Sequence, residues 1–248
     1  MFHKKNILCV LLLTLFASSQ PALARYKVGL CIMATGRYDA YAQRMIESAR
    51  KYFLKNQEVT YFVFTDGHVQ PNSDVVQIFQ KRLGWPHDTL MRFAVYAQHE
   101  DVLSQMDYLY ALDADMLFVD DVGDEILSDL VGTQHPGYVG KRGTYETNPI
   151  SNACVKHHEG QIYFAGGFYG GKSQEVLTLL KTLVQKIKED AVKGFIAIWH
   201  DESHLNRYFI DHKPTLVLTP SYCYPEDWKL PYHQRLLALN KNHAAMRK

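Results

Sequence analysis

Asp107-Tyr-Leu-Tyr-Ala-Leu-Asp-Ala-Asp-Met-Leu-Phe118 reads as a buried strand that ends in two carboxylates, Asp113 and Asp115, one residue apart. The run from Tyr108 to Leu112 is short, apolar and rich in aromatics, as a strand covered on both faces should be. An acidic D-x-D at the carboxyl end of such a strand lies where open α/β sheets place their ligands. Two anionic oxygens there suit a divalent ion held against a diphosphate, because the cation offsets both sets of negative charge. Aspartate also opens ordinary turns after strands, so the motif alone leaves a simple turn as the alternative.

Strands and helices alternate on the amino-terminal side of this stretch. Lys27 to Ala34 is a continuous apolar strand, followed by Tyr41, Met45, Ile46, Ala49, Tyr52 and Phe53 at helical spacing. Val59 to Thr65 is β-branched and aromatic and ends at Asp66-Gly67, which marks a second strand and its turn. Val75 to Phe79 is a weaker third strand, and Trp85-Pro86 predicts the opening of a helix that runs to about Gln105. The pattern indicates a single α/β sheet flanked by helices, with a ligand site at its carboxyl edge.

With 248 residues, 27 basic and 26 acidic, the chain is long enough for one large domain and carries no broad basic field, which argues against nucleic acid as a partner. Residues 1–24 differ from the rest. Lys4 and Lys5, the apolar run Ile7 to Ala17 and Ala22-Leu23-Ala24 before Arg25 predict an export signal cut at Ala24, with a short membrane anchor as the alternative. The apolar run is shorter than the roughly 17 to 25 residues that span a bilayer. Cys31, Cys154 and Cys223 remain beyond it, without C-x-x-C spacing, so neither a disulfide framework nor a zinc site is indicated.

Three later stretches carry chemistry-bearing residues. Gly166 to Ser173 matches the P-loop spacing, but bulky Phe168 and Tyr169 fill it, and the later strand Pro214 to Thr219 ends without an acidic residue for magnesium. Glycines here bring the backbone close to a ligand or to another strand, with Ser173 as a cap for the helix that carries Val176, Leu177, Leu180, Leu183, Val184 and Ile187. Trp199-His-Asp-Glu-Ser-His-Leu-Asn-Arg-Tyr208 packs two carboxylates and two imidazoles into five residues, the pattern of a rigidly held reacting group. Asp201 intervenes where a zinc helix needs its glutamate, and a capping role for Asp201 is the plainer alternative. The polar end from Leu239 to Lys248 is basic and frays by default, or folds over a bound diphosphate.

Together with Gly132-Thr-Gln-His-Pro-Gly137, His212-Lys-Pro-Thr215 and Lys241-Asn-His243, these stretches resemble glycosyltransferase family 6, the retaining family that includes the ABO blood-group transferases. The resemblance covers the chain from about Tyr26 to its end. It implies a GT-A fold over 25–248 with a single Rossmann-like mixed sheet, a UDP-sugar donor, manganese or a similar ion, and transfer to the 3-hydroxyl of a galactose-type glycan with retention of α configuration.

By position the resemblance makes Asp113 and Asp115 the manganese and diphosphate residues, and Glu202 the catalytic carboxylate beneath the anomeric carbon. It places Met33, Ala34 and Tyr38 at the uridine, and Arg92 and Asp201 at the donor sugar. Ala165-Gly166-Gly167 falls on the donor-selecting triplet, where a glycine in third place leaves room for an N-acetyl group and favours UDP-N-acetylgalactosamine over UDP-galactose. His135, Trp199 and His200 fall on acceptor contacts, and Lys241 and Arg247 on a basic tail, about 239–248, that closes on UDP. Bacterial members commonly carry Asn-x-Asn and work without metal, whereas this chain keeps both carboxylates. Glu202 then serves either as a nucleophile or as support for an oxocarbenium-like state. A non-catalytic glycan-binding protein on the same fold is the competing function, motivated by the export signal.

Overall fold

A computed structural model describes residues 25–246, so the predicted export signal and Arg247 lie outside the described residues. β1 (Lys27–Met33), α1 (Asp39–Tyr52), β2 (Glu58–Thr65) and β3 (Val75–Phe79) follow the sequence reading closely. The single helix expected from Pro86 to Gln105 is three short ones instead, α2 (His87–Leu90), α3 (Arg92–Ala97) and α4 (Glu100–Leu103). They break because the buried face changes direction: Leu90, then Phe93 and Tyr96, then Leu103 each reach the core from a separate turn. The break between α2 and α3 leaves Arg92 at the start of α3, buried and aimed at the sheet's edge.

β4 (Tyr108–Asp113) delivers the D-x-D, and after the turn at Ala114 and Asp115 the chain continues into β5 (Met116–Phe118). β6 (Leu130–Gln134) and the nine-residue β7 (Phe164–Lys172) follow, then α5 (Ser173–Val192), α6 (His200–Asp211) and β8 (Leu216–Leu218). β9 (Tyr224–Pro225), β10 (Leu236–Ala238) and α7 (His243–Met246) end the described chain. The main sheet has seven strands in the order β3-β2-β1-β4-β7-β6-β8, and β5, β10 and β9 form a small second sheet. β7 alone runs antiparallel to both of its neighbours. The fold is mixed α/β with helices on both faces of the main sheet.

Alternation along the central strands explains the two-sided core. In β4, Tyr110 and Leu112 face α1 and its surroundings, while Leu109 and Ala111 face α3, α5 and α6. The buried Tyr110 phenol donates to the Ile126 carbonyl at 2.7 Å, so its burial leaves no orphan donor.

The Gly-rich stretch is strand β7, and its glycines bring the backbone close to another strand, β4. A Cβ at Gly170 would lie 2.3 Å from the Tyr110 ring and 2.4 Å from the Leu109 carbonyl oxygen, so glycine lets β7 pair beside β4 while Tyr110 fills the space above it. Ser173 does not cap α5; its hydroxyl is buried without a partner and its N–H donates to the Asp107 carbonyl at 3.0 Å. Among the described residues Cys31, Cys154 and Cys223 are all free thiols, in keeping with the absence of a disulfide framework.

Candidate active site

Parallel pairing puts Met33 beside Asp113 at the carboxyl edge of the sheet, and antiparallel pairing of Leu112 with Phe168 brings Gly166 and Gly167 to the same edge. A cavity of about 600 Å³ opens there, within the range of small-molecule sites. Met33, Tyr38, Arg92, Asp113, Asp115 and Lys241 line it. Gly166, Gly167, Asp201, Glu202, Trp199 and His200 line it as well.

Other expected residues lie outside the cavity lining. Ala34 is fully buried, its N–H donating to the Phe64 carbonyl at 2.9 Å, and Ala165 is 3% exposed within β7. His135 stands behind the site: its Nδ1 accepts from Gly137 N at 3.0 Å, its ring packs against Tyr163, and burial pushes its pKa down to about 4, so it is neutral.

Arg92 ties Asp113 and Asp201 together. Its side chain is only 7% exposed, with Nη1 2.7 Å from Asp113 Oδ1 and Nε 3.0 Å from Asp201 Oδ2. The second contact is an ion pair without hydrogen-bond alignment, since Nε has no aligned acceptor. Burial opposes the guanidinium charge, but the two carboxylates more than offset it and hold its pKa well above the ordinary value. Asp201, expected as a possible helix cap, lies inside the first turn of α6, after the N-cap Trp199, and its carboxylate pairs with Arg92. Its pKa is pushed up to about 6 by burial, against the pull of Arg92.

Glu202 has both oxygens engaged. Oε1 accepts from the Tyr163 hydroxyl and Oε2 from Gly166 N, each at 2.8 Å. Burial nevertheless pushes its carboxyl up to about 7, with those two hydrogen bonds opposing. Asn206, one turn further along α6, accepts from Phe164 N and donates to the Phe164 carbonyl, both at 2.8 Å, and also donates to the Glu202 carbonyl at 2.9 Å. This clamp fixes the distance between α6 and β7, and so the position of Glu202 beneath the glycines. His200, at the head of α6, has φ +50°, a left-handed conformation costing roughly 1–3 kcal/mol in a non-glycine residue. Its ring meets the Trp85 ring edge-on at 5.2 Å.

The basic end is folded against the site rather than frayed. Leu239 N donates to the Asp115 carbonyl at 3.0 Å, the Lys241 ammonium donates to Asp115 Oδ2 and sits 5.1 Å from the Tyr38 ring centroid, and Arg82 Nη2 reaches the Met246 carbonyl at 3.5 Å. Arg82, Asp88 and Ile198 also line the cavity, though no local pattern marks them for it, as does Trp85, whose sequence setting points only to a helix opening. Tyr163 and Asn206, the supports of Glu202, carry no mark of that role in the sequence, although Asn206 lies in the polar stretch from Trp199 to Tyr208.

Among the described residues no group of three or more His, Cys, Asp and Glu side chains is arranged to hold a metal. The donor set still fits a hard divalent ion that takes much of its shell from phosphate and water: two carboxylates flank one turn, both line the cavity, and Asp115 already binds a cationic group in Lys241.

Fold and cavity define a glycosyltransferase of the GT-A type. A glycosyltransferase family 6 model matches residues 16–248, and the chain belongs to that family. It is 37% identical to histo-blood group ABO system transferase 1 of Rattus norvegicus, over 93% of this chain and 71% of that one. It is 32% identical to globoside alpha-1,3-N-acetylgalactosaminyltransferase 1 of Mus musculus, over 80% of this chain and 61% of the relative. The human protein of the same name is 31% identical over 89% of this chain and 68% of the relative. No helix among the described residues is long and apolar enough to cross a membrane.

Because Glu202 is half-protonated near pH 7 and Asp201 titrates close below it, kcat/KM is expected to rise with pH along an acid limb near 7 that belongs to the pair. A profile that is flat from about pH 5 to 8 would mean that ionised Glu202 is not required.

Proposed function

We propose that this enzyme transfers N-acetylgalactosamine, or galactose, from a UDP-sugar to the 3-hydroxyl of a β-galactoside, in α linkage with retention. The single observation that carries the reading is the bare Gly166-Gly167 pair. A Cβ on Gly166 would lie 3.5 Å from Glu202 Oε2, and one on Gly167 would lie 3.4 Å from Asp113 Oδ2. The pair thus stands between the carboxylate suited to an anomeric carbon and the one suited to a diphosphate, and leaves the sugar's place open.

Asp113 and Asp115 would hold manganese or a similar ion, which when bound neutralises charge on the diphosphate. The chain's own cations act alongside. Lys241, on the tail segment, is within reach of the same charge, and Arg92 keeps Asp113 and Asp201 oriented. Glu202, half-buried and lining the cavity, presents negative charge to the positive charge developing at the anomeric carbon, which the surrounding low-dielectric walls make effective. Trp199, Ile198 and His200 form the outer wall on which the acceptor sugar docks. Met33 and Tyr38 lie where the uridine packs. The extent of the domain over 25–248, and an exported or membrane-associated location for the whole protein, are part of the same proposal.

Incubation with a panel of UDP-sugars, manganese and β-galactosides tests this directly. UDP release and an α-1,3-linked product are expected; glycan binding without any UDP release would instead indicate a lectin. N-acetylgalactosamine is the donor expected to be used faster. Gly167→Ala is expected to shift the ratio towards galactose by roughly ten- to two-hundred-fold, the worth of a methyl-sized clash in a pocket. The new methyl would also press on Met116 Sδ at 3.2 Å and on Asp113, so the donor ratio is the readout and not the rate. An unchanged ratio would overturn the donor assignment.

A further inference from the structure

We propose that Glu146 is a positioning residue for the acceptor side of the cavity, holding the Ile198-Trp199 wall from the irregular segment 144–160; this rests on the donor-and-acceptor reading above. Glu146 is a carboxylate only 7% exposed, and no ion pair holds it among the described residues. Two backbone amides do so instead: Oε2 accepts from Ile198 N at 2.9 Å and Oε1 from Asn148 N at 2.8 Å, while its own carbonyl accepts from Val155 N at 2.8 Å. A carboxylate is the one side chain that takes both amides as acceptor without leaving a donor unmatched, and charge-assisted bonds of this kind are about twice as strong as neutral ones.

The wall needs such a tie. Ile198 and Trp199 are 55% and 46% exposed, so packing does little to fix them. Trp199 N donates to Ser203 Oγ at 3.0 Å and its indole Nε1 to Thr144 Oγ1 at 2.9 Å, so the ring's direction depends on where the 144–160 segment lies. That segment has no helix or strand of its own and is anchored by two buried carboxylates. Asp190, on α5, takes Ser151 Oγ at 2.6 Å and both Asn152 N and Nδ2 at 2.8 Å, which joins the segment to the core. Glu146 joins it to the wall. Register between Thr144 and Trp199 is therefore set by the Glu146–Ile198 bond, and the geometry of acceptor docking with it.

Glu146→Gln keeps the size but turns an N–H towards one of the two amides. We expect the acceptor KM to rise roughly tenfold, the effect of one lost buried hydrogen bond. Donor affinity, measured by calorimetry with UDP, and hydrolysis of UDP-sugar without acceptor should stay within about twofold of wild type. An unchanged acceptor KM, or a parallel fall in hydrolysis and transfer, would overturn the proposal. If the variant does not accumulate as folded protein, hydrogen exchange in the wild type decides. An Ile198 amide protected well beyond an exposed one supports the tie, and exchange at the exposed rate refutes it. Should the wild type release UDP from no UDP-sugar, the reading of the cavity fails, while the exchange test of Glu146 still stands.

Discussion

Glu202→Gln is expected to lower transfer by at least about 10²–10³-fold, the range seen when one electrostatic contact to a transition state is removed from a water-excluded site. Donor binding should survive, because glutamine fits the same space and can still offer its oxygen to Gly166 N while the Tyr163 hydroxyl rotates to accept from its amide. Stability moves the other way, and the sign follows from linkage. Glu202 is raised from 4.5 in the unfolded chain to about 7 when folded, so the folded enzyme binds the extra proton between those values and loses stability as pH rises through them. The glutamine variant has no such loss. Its melting temperature relative to wild type should therefore climb between pH 4.5 and 7, and level off above. A turnover number equal to wild type would remove Glu202 from the chemistry.

Asp113→Ala and Asp115→Ala should each reduce activity by about 10² or more, and a chelator should abolish wild-type activity to a similar degree. Full activity in excess chelator would sink the metal assignment. The two variants should differ from wild type in stability. Asp113 is one of two carboxylates facing the buried Arg92, so its loss leaves that guanidinium with Asp201 alone; a cost of about 1–3 kcal/mol is expected, below that of a fully buried pair because Asp113 is 34% exposed. Loss of Asp115 removes a carboxylate from Lys241 in a more buried contact, the two side chains being 13% and 8% exposed, and should lower the melting temperature at least as far. Thermal denaturation of the two variants beside wild type checks both outcomes.

Much of this molecule is legible in its sequence, for a physical reason. β1, β2, β3 and β4 are contiguous apolar or β-branched runs, α1 and α5 carry apolar residues at helical spacing, and those patterns report burial directly. Asp113, Asp115, Asp201 and Glu202 are likewise visible because carboxylates at strand ends and beside core anchors are costly unless something uses them.

Other features depend on pairs far apart in the chain, where no local period operates. The glycines of β7 have little strand propensity of their own; they are extended because β4 and β6 pair with them on either side, and because Tyr110 fills the space a side chain would need. Pro86 to Gln105 has helical composition throughout, yet it breaks into three turns so that Leu90, Phe93, Tyr96 and Leu103 can all reach one core. The ionisation of Glu202 is set by burial, opposed by the bonds from Tyr163 and Gly166, the direction of Asp201 by Arg92, and the tie between Ile198 and the 144–160 segment by Glu146. Residue type and spacing determined which groups this chain has to work with; only tertiary packing, which sets burial and brings distant donors to each carboxylate, decided what each of them does.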